Sequence, residues 1–130
     1  MRNLTKLFRT LSDETRLRIF NLLLTRECCV CEVVQALGIS QASASRSLAQ
    51  IYDCGIIEKR IEGLWTIYSL SPELSPNYNG LIIEAVKLGL SQDQTAADDR
   101  RRLAESKRLC PCPAMSKPAQ SIQPLGLVNG

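Results

Sequence analysis

The 130-residue sequence contains no histidine. That excludes Ser-His-Asp and Cys-His mechanisms, and any metal site has to be built from thiolates, with or without carboxylates. There is also no GxGxxG, no P-loop and no HExxH, so the residues offer no case for an enzyme. No run of 18 apolar residues occurs, so nothing is expected to span a membrane. The opening stretch MRNLTKLFRTLSDETRLRIF is charged throughout and lacks the apolar segment and small-residue cleavage site of a signal peptide. A strong excess of charge is missing too: 16 Lys and Arg stand against 13 Asp and Glu, a net +3. Nucleic-acid binding must therefore be argued from where the basic residues sit. A cytoplasmic protein is expected, and there clustered cysteines signal metal or redox chemistry more often than disulfides.

The pattern that is present is mostly helical. Leu4, Leu7, Phe8 and Leu11 form one stripe of a first helix over residues 2–11. Ser12 reads as the N-cap of a second, from Asp13 to about Leu24, with Leu17, Phe20, Leu23 and Leu24 at helical spacing. Val30, Val33, Val34 and Leu37 mark a third helix, stopped by Gly38. Ser40 caps a fourth, Gln41 to about Asp53, whose buried stripe is Ala44, Leu48, Ile51 and Tyr52. Two short helices joined through Gly-Ile-Ser make a helix-turn-helix. IIEKRI and LWTIYSL around Glu62-Gly63 read as two strands, and a hairpin in that place is a wing. Residues 71–76 are a loop, and Tyr78 to about Ser91 a helix with Leu81, Ile82, Ala85, Leu88 and Gly89 on its apolar side. The charged stretch 94–109 continues or extends that helix. The fold class expected is mainly α with a β-hairpin wing, a homodimeric winged helix-turn-helix. Three parts follow: a DNA-binding and dimerisation domain over 1–92, a charged helical extension over 93–110, and a Pro-rich disordered tail over 111–130.

With Leu48 facing the core, Ser43, Arg46 and Gln50 point away from it at about 100° per residue, flanked by Ala42 and Ser47. Arg can hold the guanine O6 and N7 edge and Gln the adenine N6 and N7 edge. Ser40, Gln41, Ser43, Ser45, Arg46 and Gln50 are the candidate DNA-contacting residues of the helix. Lys59 and Arg60 in the wing are the candidates for phosphates, while Arg16 and Arg18 serve equally well as surface decoration. A plain solvated face is the bland alternative, but the helix carries a single acid, Asp53, at its far end.

Three of the six cysteines lie in CCVC, at 28, 29 and 31. Soft thiolates select soft or thiophilic ions, and a helix start is expected to lower thiol pKa. In a straight helix Cys29 and Cys31 lie about 200° apart and cannot share an ion, whereas Cys28 and Cys31 share a face. For Cys29 and Cys31 to converge, the first turn must unwind or start late. Cys54 at a helix end reads as a small core hydrophobe.

The strings LSDETRLRI, CVCE, ALGISQ, SRSL and EGLWTIYSL occur in an order and spacing that resembles the ArsR/SmtB family of metal-responsive bacterial repressors, from about Leu4 to Leu90. The resemblance implies a homodimer with its first and last helices at the interface, bound to palindromic double-stranded operator DNA and released by metal or metalloid. It identifies Cys29-Val-Cys31 as an arsenite and antimonite pair, As(III) or Sb(III) being held by three thiolates or by two plus hydroxide, with no structural cofactor. The family's zinc, nickel and cobalt sites need histidine, and its cadmium and lead version of the site needs cysteine in an N-terminal arm that has none here. A third family cysteine often stands where this chain has Val34, and a histidine where it has Ser47. Cys28 is the expected third ligand, with Cys110 or Cys112, of the same or the partner subunit, as accessories. The alternatives are a thiol-redox or persulfide sensor or a cadmium or lead sensor on the same fold, and a zinc-stapled interaction module using Cys29, Cys31, Cys110 and Cys112.

Overall fold

A computed structural model describes residues 1–71 and 78–109. The loop expected beyond Ser71, the tail, and Cys110 and Cys112 lie outside the described residues. Six helices and three strands follow in the order α1 (Arg2–Leu11), α2 (Glu14–Thr25), β1 (Cys28–Cys29), α3 (Val30–Leu37), α4 (Gln41–Asp53), β2 (Ile57–Glu62), β3 (Trp65–Leu70), α5 (Tyr78–Leu90) and α6 (Gln94–Glu105). The helix bounds follow local chemistry. Asp13 caps α2 by accepting from the Arg16 N–H at 3.0 Å, so the cap is Asp13 and not Ser12, which instead ends α1. Ser40 caps α4 by accepting from the Ser43 N–H at 3.0 Å. Gly38 takes φ 71° after α3, a left-handed turn that glycine enters without a Cβ clash. Gly63, at φ 64°, does the same between β2 and β3.

The core joins Ile19, Phe20 and Leu22 of α2, Val33 of α3, and Leu48 and Ile51 of α4, all fully buried. Tyr52, expected in the same stripe, is half-exposed, its ring under the Lys59 ammonium at 4.5 Å. Ser47, expected at the flank, is buried instead. The wing hairpin runs in register from Ile57 opposite Leu70 to Glu62 opposite Trp65. A strand absent from the sequence reading joins it: Cys28 pairs with Tyr68 and Cys29 with Ile67, giving the order β1-β3-β2. Two residues are too short a run to show alternation.

Residues 94–105 do not continue α5. The chain breaks at Asp93, which caps a separate α6 by accepting from the Ala96 N–H at 2.9 Å. This helix packs on α2 and α3 and places Leu103 in the core. Its Asp99, fully buried, accepts both 2.9 Å bonds of the Arg18 guanidinium and a third of 2.8 Å from Arg102. Arg18 is therefore a structural partner of α6. By contrast Phe8 of α1, Leu81 and Leu88 of α5, and Ile61 and Leu64 of the wing are exposed. No helix among the described residues is long and apolar enough to cross a membrane.

Candidate functional site

The helix α3 starts at Val30, so Cys29 is its N-cap, with extended backbone angles of φ −96° and ψ 171°. That late start turns the Cys29 side chain toward Cys31. Their sulfurs are 3.0 Å apart and hydrogen-bonded, in a small cluster with Ile67 and Trp65 of β3. No unwinding is needed to bring the pair together. Metal–sulfur bonds of about 2.3 Å place two thiolates of one ion about 3–4 Å apart, so the spacing suits a shared soft ion after a small opening.

Cys28 does not join them. Successive strand residues face opposite ways, and Cys28 packs in the main core with its thiol donating to the Arg26 carbonyl at 3.4 Å. Cys28 was expected to complete a compact three-thiol site; in this structure its sulfur lies in the main core, apart from the Cys29–Cys31 pair. Among the described residues no three Cys, Asp or Glu side chains come together as an ion site. Cys54 is half-buried against the core, its thiol donating to the Ile51 carbonyl at 3.2 Å.

Helix-start electrostatics do not win at the thiols either. Burial pushes the Cys28 thiol up to about 12. The hydrogen bond to Cys31, with burial behind it, pushes Cys29 up as well. The expected lowering fails because sulfurs cut off from water pay a desolvation cost larger than the field of one short helix repays. The nearest charge is already neutralised: Glu32, buried one residue past Cys31, accepts from the Cys29 N–H at 2.9 Å, from Arg26 at 3.1 Å and from Arg108 at 3.4 Å. Burial alone would raise this carboxyl; the N–H and the two guanidinium groups outweigh it and hold it below its ordinary value.

On α4, Arg46 is exposed together with Ala42 and Ala49, while Gln41, Ser43 and Ser45 are half-exposed. Small alanines let the helix approach a groove floor. The Ser40 hydroxyl serves as the cap. Gln50 is exposed but accepts from Arg16 Nη1 at 2.9 Å, and Arg16 Nε also holds the Thr10 carbonyl at 2.7 Å. The wing divides its two basic residues. Lys59 stands on the α4 side, over Tyr52. Arg60, the next residue along the strand, points the other way and pairs with Glu27 at 2.7 and 2.9 Å and with Glu62 at 2.9 Å. Those bonds raise its pKa and lower that of Glu27. Both were expected to meet phosphates; in this structure the charge of Arg60 is paired with Glu27 and Glu62.

The sequence reading missed Glu27, Glu32, Trp65 and Arg108 around the thiols. The Cys29-x-x-Glu32 spacing of a capping box was the one local signal for Glu32.

The family model described as "Bacterial regulatory protein, arsR family" matches residues 13–59. The chain is 38% identical over 100 residues to the arsenic resistance transcriptional regulator ArsR1 of Pseudomonas putida, covering 75% of each. It is 36% identical over 109 residues to the arsenical resistance operon repressor of Escherichia coli, covering 81% of this chain and 93% of that one. Reduced HlyU from Vibrio cholerae superposes with a TM-score of 0.61 at 27% identity, covering 70% of this chain and 92% of that one.

Proposed function

The chain belongs to the arsR family of bacterial regulatory proteins, and on that premise we propose that it is a cytoplasmic homodimeric repressor, without enzymatic activity, that leaves its operator when trivalent arsenic or antimony is bound by thiols. The observation that carries the inducer reading is the convergence of the Cys29 and Cys31 sulfurs at the first turn of α3. That place touches both elements that would meet DNA. Helix α3 leads through Gly38–Ser40 into α4, and Cys29 pairs with Ile67 in the wing strand β3. A ligand that favours one arrangement of this junction by a few kcal/mol suffices to release DNA. The exposed apolar residues of α1 and α5 supply the dimer surface.

The raised pKa of Cys29 favours arsenous acid over divalent cations. Arsenous acid is uncharged at neutral pH, and exchange of its hydroxides for thiols releases water and no net protons. A divalent cation must displace the thiol protons, and the raised Cys29 pKa makes that costly. Arsenite-induced release is therefore expected to vary by no more than about twofold between pH 6.5 and 8. Any cadmium-induced release is expected to strengthen about tenfold per pH unit for each proton displaced. Fluorescence anisotropy of labelled operator DNA across that range measures both.

In the DNA reading, Arg46 is the base-edge contact on α4, Gln41, Ser43 and Ser45 line the approach, and Lys59 meets a phosphate from the wing. Arg46→Ala is expected to weaken operator binding about 5- to 150-fold, the range for one lost bidentate contact, with arsenite still bound. Wild-type affinity in a gel-shift titration would remove Arg46 from the interface. The decisive experiment for the whole reading is operator binding on the protein's own promoter, challenged in parallel with arsenite, antimonite, cadmium, zinc and peroxide. Release by the first two at the lowest concentrations is expected; release by peroxide alone would make it a redox sensor.

A further inference from the structure

The chain's small excess of charge is matched by one helix. Residues 2–11 carry Arg2, Lys6 and Arg9 and no Asp or Glu, so α1 alone holds a charge equal to the chain's net +3. The three basic residues stand at i, i+4 and i+7 and fall within about 60° of one another on one face of α1. All three are exposed. Among the described residues neither they nor Arg16 take part in an ion pair. Asp13, at the start of α2, is spent on the Arg16 backbone N–H. The stripe borders α4, on which α1 packs. Burial raises the Cys54 thiol at the C-cap of α4, and the Thr10 hydroxyl and the Lys6 ammonium oppose that rise, which sets both beside the end of α4. Arg16 closes the joint. Its Nε donates to the Thr10 carbonyl at 2.7 Å and its Nη2 to the Arg9 carbonyl at 3.5 Å, at the end of α1 where the helix dipole favours a cation. Its Nη1 donates to Gln50 Oε1 at 2.9 Å. Gln50 lies one turn from Arg46, and both are exposed on α4. A path from Arg46 through Gln50 and Arg16 to Arg9, Lys6 and Arg2 thus joins α4 to the stripe.

We propose that Arg2, Lys6 and Arg9 are a second DNA-contact surface, which holds the phosphate backbone beside the groove that α4 enters, with Arg16 as the positioning residue that fixes the stripe to α4. The proposal rests on the reading of α4 as the helix that meets operator DNA. A phosphate backbone suits the stripe in charge and in length. Seven residues at about 1.5 Å each spread the cations over about 10 Å, a length that holds about three phosphates of one strand at roughly 3.4 Å of axis each. An anionic membrane surface does not suit it. A helix lying on a bilayer needs a free apolar face, and Leu7 and Leu11 of α1 are committed to the core. The exposed Phe8 lies about 130° round the helix from the middle of the stripe, so a partner subunit can cover Phe8 while the stripe stays open. Phosphate contacts carry no sequence information. They add affinity and fix orientation, for which a chain of net +3 has little other charge to spare.

The test is the salt dependence of DNA binding by the full-length protein, read by fluorescence anisotropy from about 50 to 300 mM KCl. Two duplexes of equal length are used, the operator and an unrelated sequence. In Lys6→Gln the slope of log K against log salt is expected to become shallower by about 2, one contact from each protomer at about 0.9 apiece. The triple variant Arg2→Gln, Lys6→Gln, Arg9→Gln is expected to lose more, by the same factor on both duplexes, so that the preference for operator stays. Arg101→Gln removes one charge from α6, where Arg101 is paired with Asp98 at 2.8 Å, and is the control expected to keep the wild-type slope. Sedimentation of each variant checks that the wild-type oligomer persists. A wild-type slope in the triple variant, an equal loss in Arg101→Gln, a loss confined to the operator, or a loss that comes with a changed oligomer overturns the assignment of α1 and leaves the reading of α4 standing. Wild-type binding that does not weaken with salt on either duplex overturns both.

Discussion

Cys29→Ser and Cys31→Ser, singly or together, are expected to give repressors that stay on operator DNA at arsenite concentrations at least about a hundredfold above those that release wild type, the scale on which a removed tether acts. Serine keeps the size of the side chain and can keep a hydrogen bond across the pair, now 3.0 Å between sulfurs, so the start of α3 retains its shape. It cannot bind trivalent arsenic with thiolate strength, because the inducer's preference is for soft sulfur. The effect is large because the two sulfurs are the whole of what the described residues bring together for a soft ion. Cys28→Ser and Cys54→Ser are the informative controls. Each thiol is buried or half-buried in the core and donates to a backbone carbonyl, so their cost falls on stability, while release by arsenite continues. Operator anisotropy titrated with arsenite reads all of these. Normal release by both Cys29→Ser and Cys31→Ser would move the inducer site elsewhere.

Asp99→Ala is expected to destabilise the fold by about 3 kcal/mol, the lower part of the range for breaking a buried ion pair from one side. The lower part applies because the Arg18 side chain keeps a quarter of its surface exposed and water can recover some of its solvation. What remains after the substitution is a guanidinium that has lost two 2.9 Å bonds, and a second, Arg102, that has lost one of 2.8 Å. Against a total stability of about 5–15 kcal/mol, such a loss is severe, and at this size it corresponds to roughly 12 °C in Tm. Urea unfolding at fixed protein concentration measures it. A change below about 1 kcal/mol would mean that α6 is not held by this pair.

The helices were legible because their signals are local. Leu48, Ile51 and Ala44 recur at the period of one helix face, and Ser40 and Gly38 carry cap chemistry in their own side chains or in the lack of one. The wing was legible from its β-branched and aromatic residues around Glu62-Gly63. The CVC motif marked the place of the thiols. What stayed hidden was hidden for a physical reason: it depends on pairs far apart in sequence. Arg60 looks like Lys59 until folding sets Glu27 beside it. Asp99 looks like one more charge of a solvated helix until Arg18 meets it across the core. Leu81 and Leu88 look like core, yet no other element among the described residues covers them.

By itself, the sequence determined the order of elements, the helix-turn-helix with its hairpin, the exclusion of imidazole chemistry, and the presence of a thiol cluster beside the helix that would read DNA. Tertiary structure alone decided which thiols meet. One extended residue at Cys29, pinned by its pairing with Ile67 and by the Glu32 carboxylate on its N–H, turns a 200° separation into contact and leaves Cys28 on the other side of the strand. Tertiary structure alone also decided how those thiols ionise, since burial and a shared hydrogen bond outweigh the helix start. And it laid residues 106–109 beside the thiols, the Lys107 backbone held by the Gln35 amide and the Leu109 carbonyl by the Trp65 indole N–H, a path that no periodicity of that segment could announce.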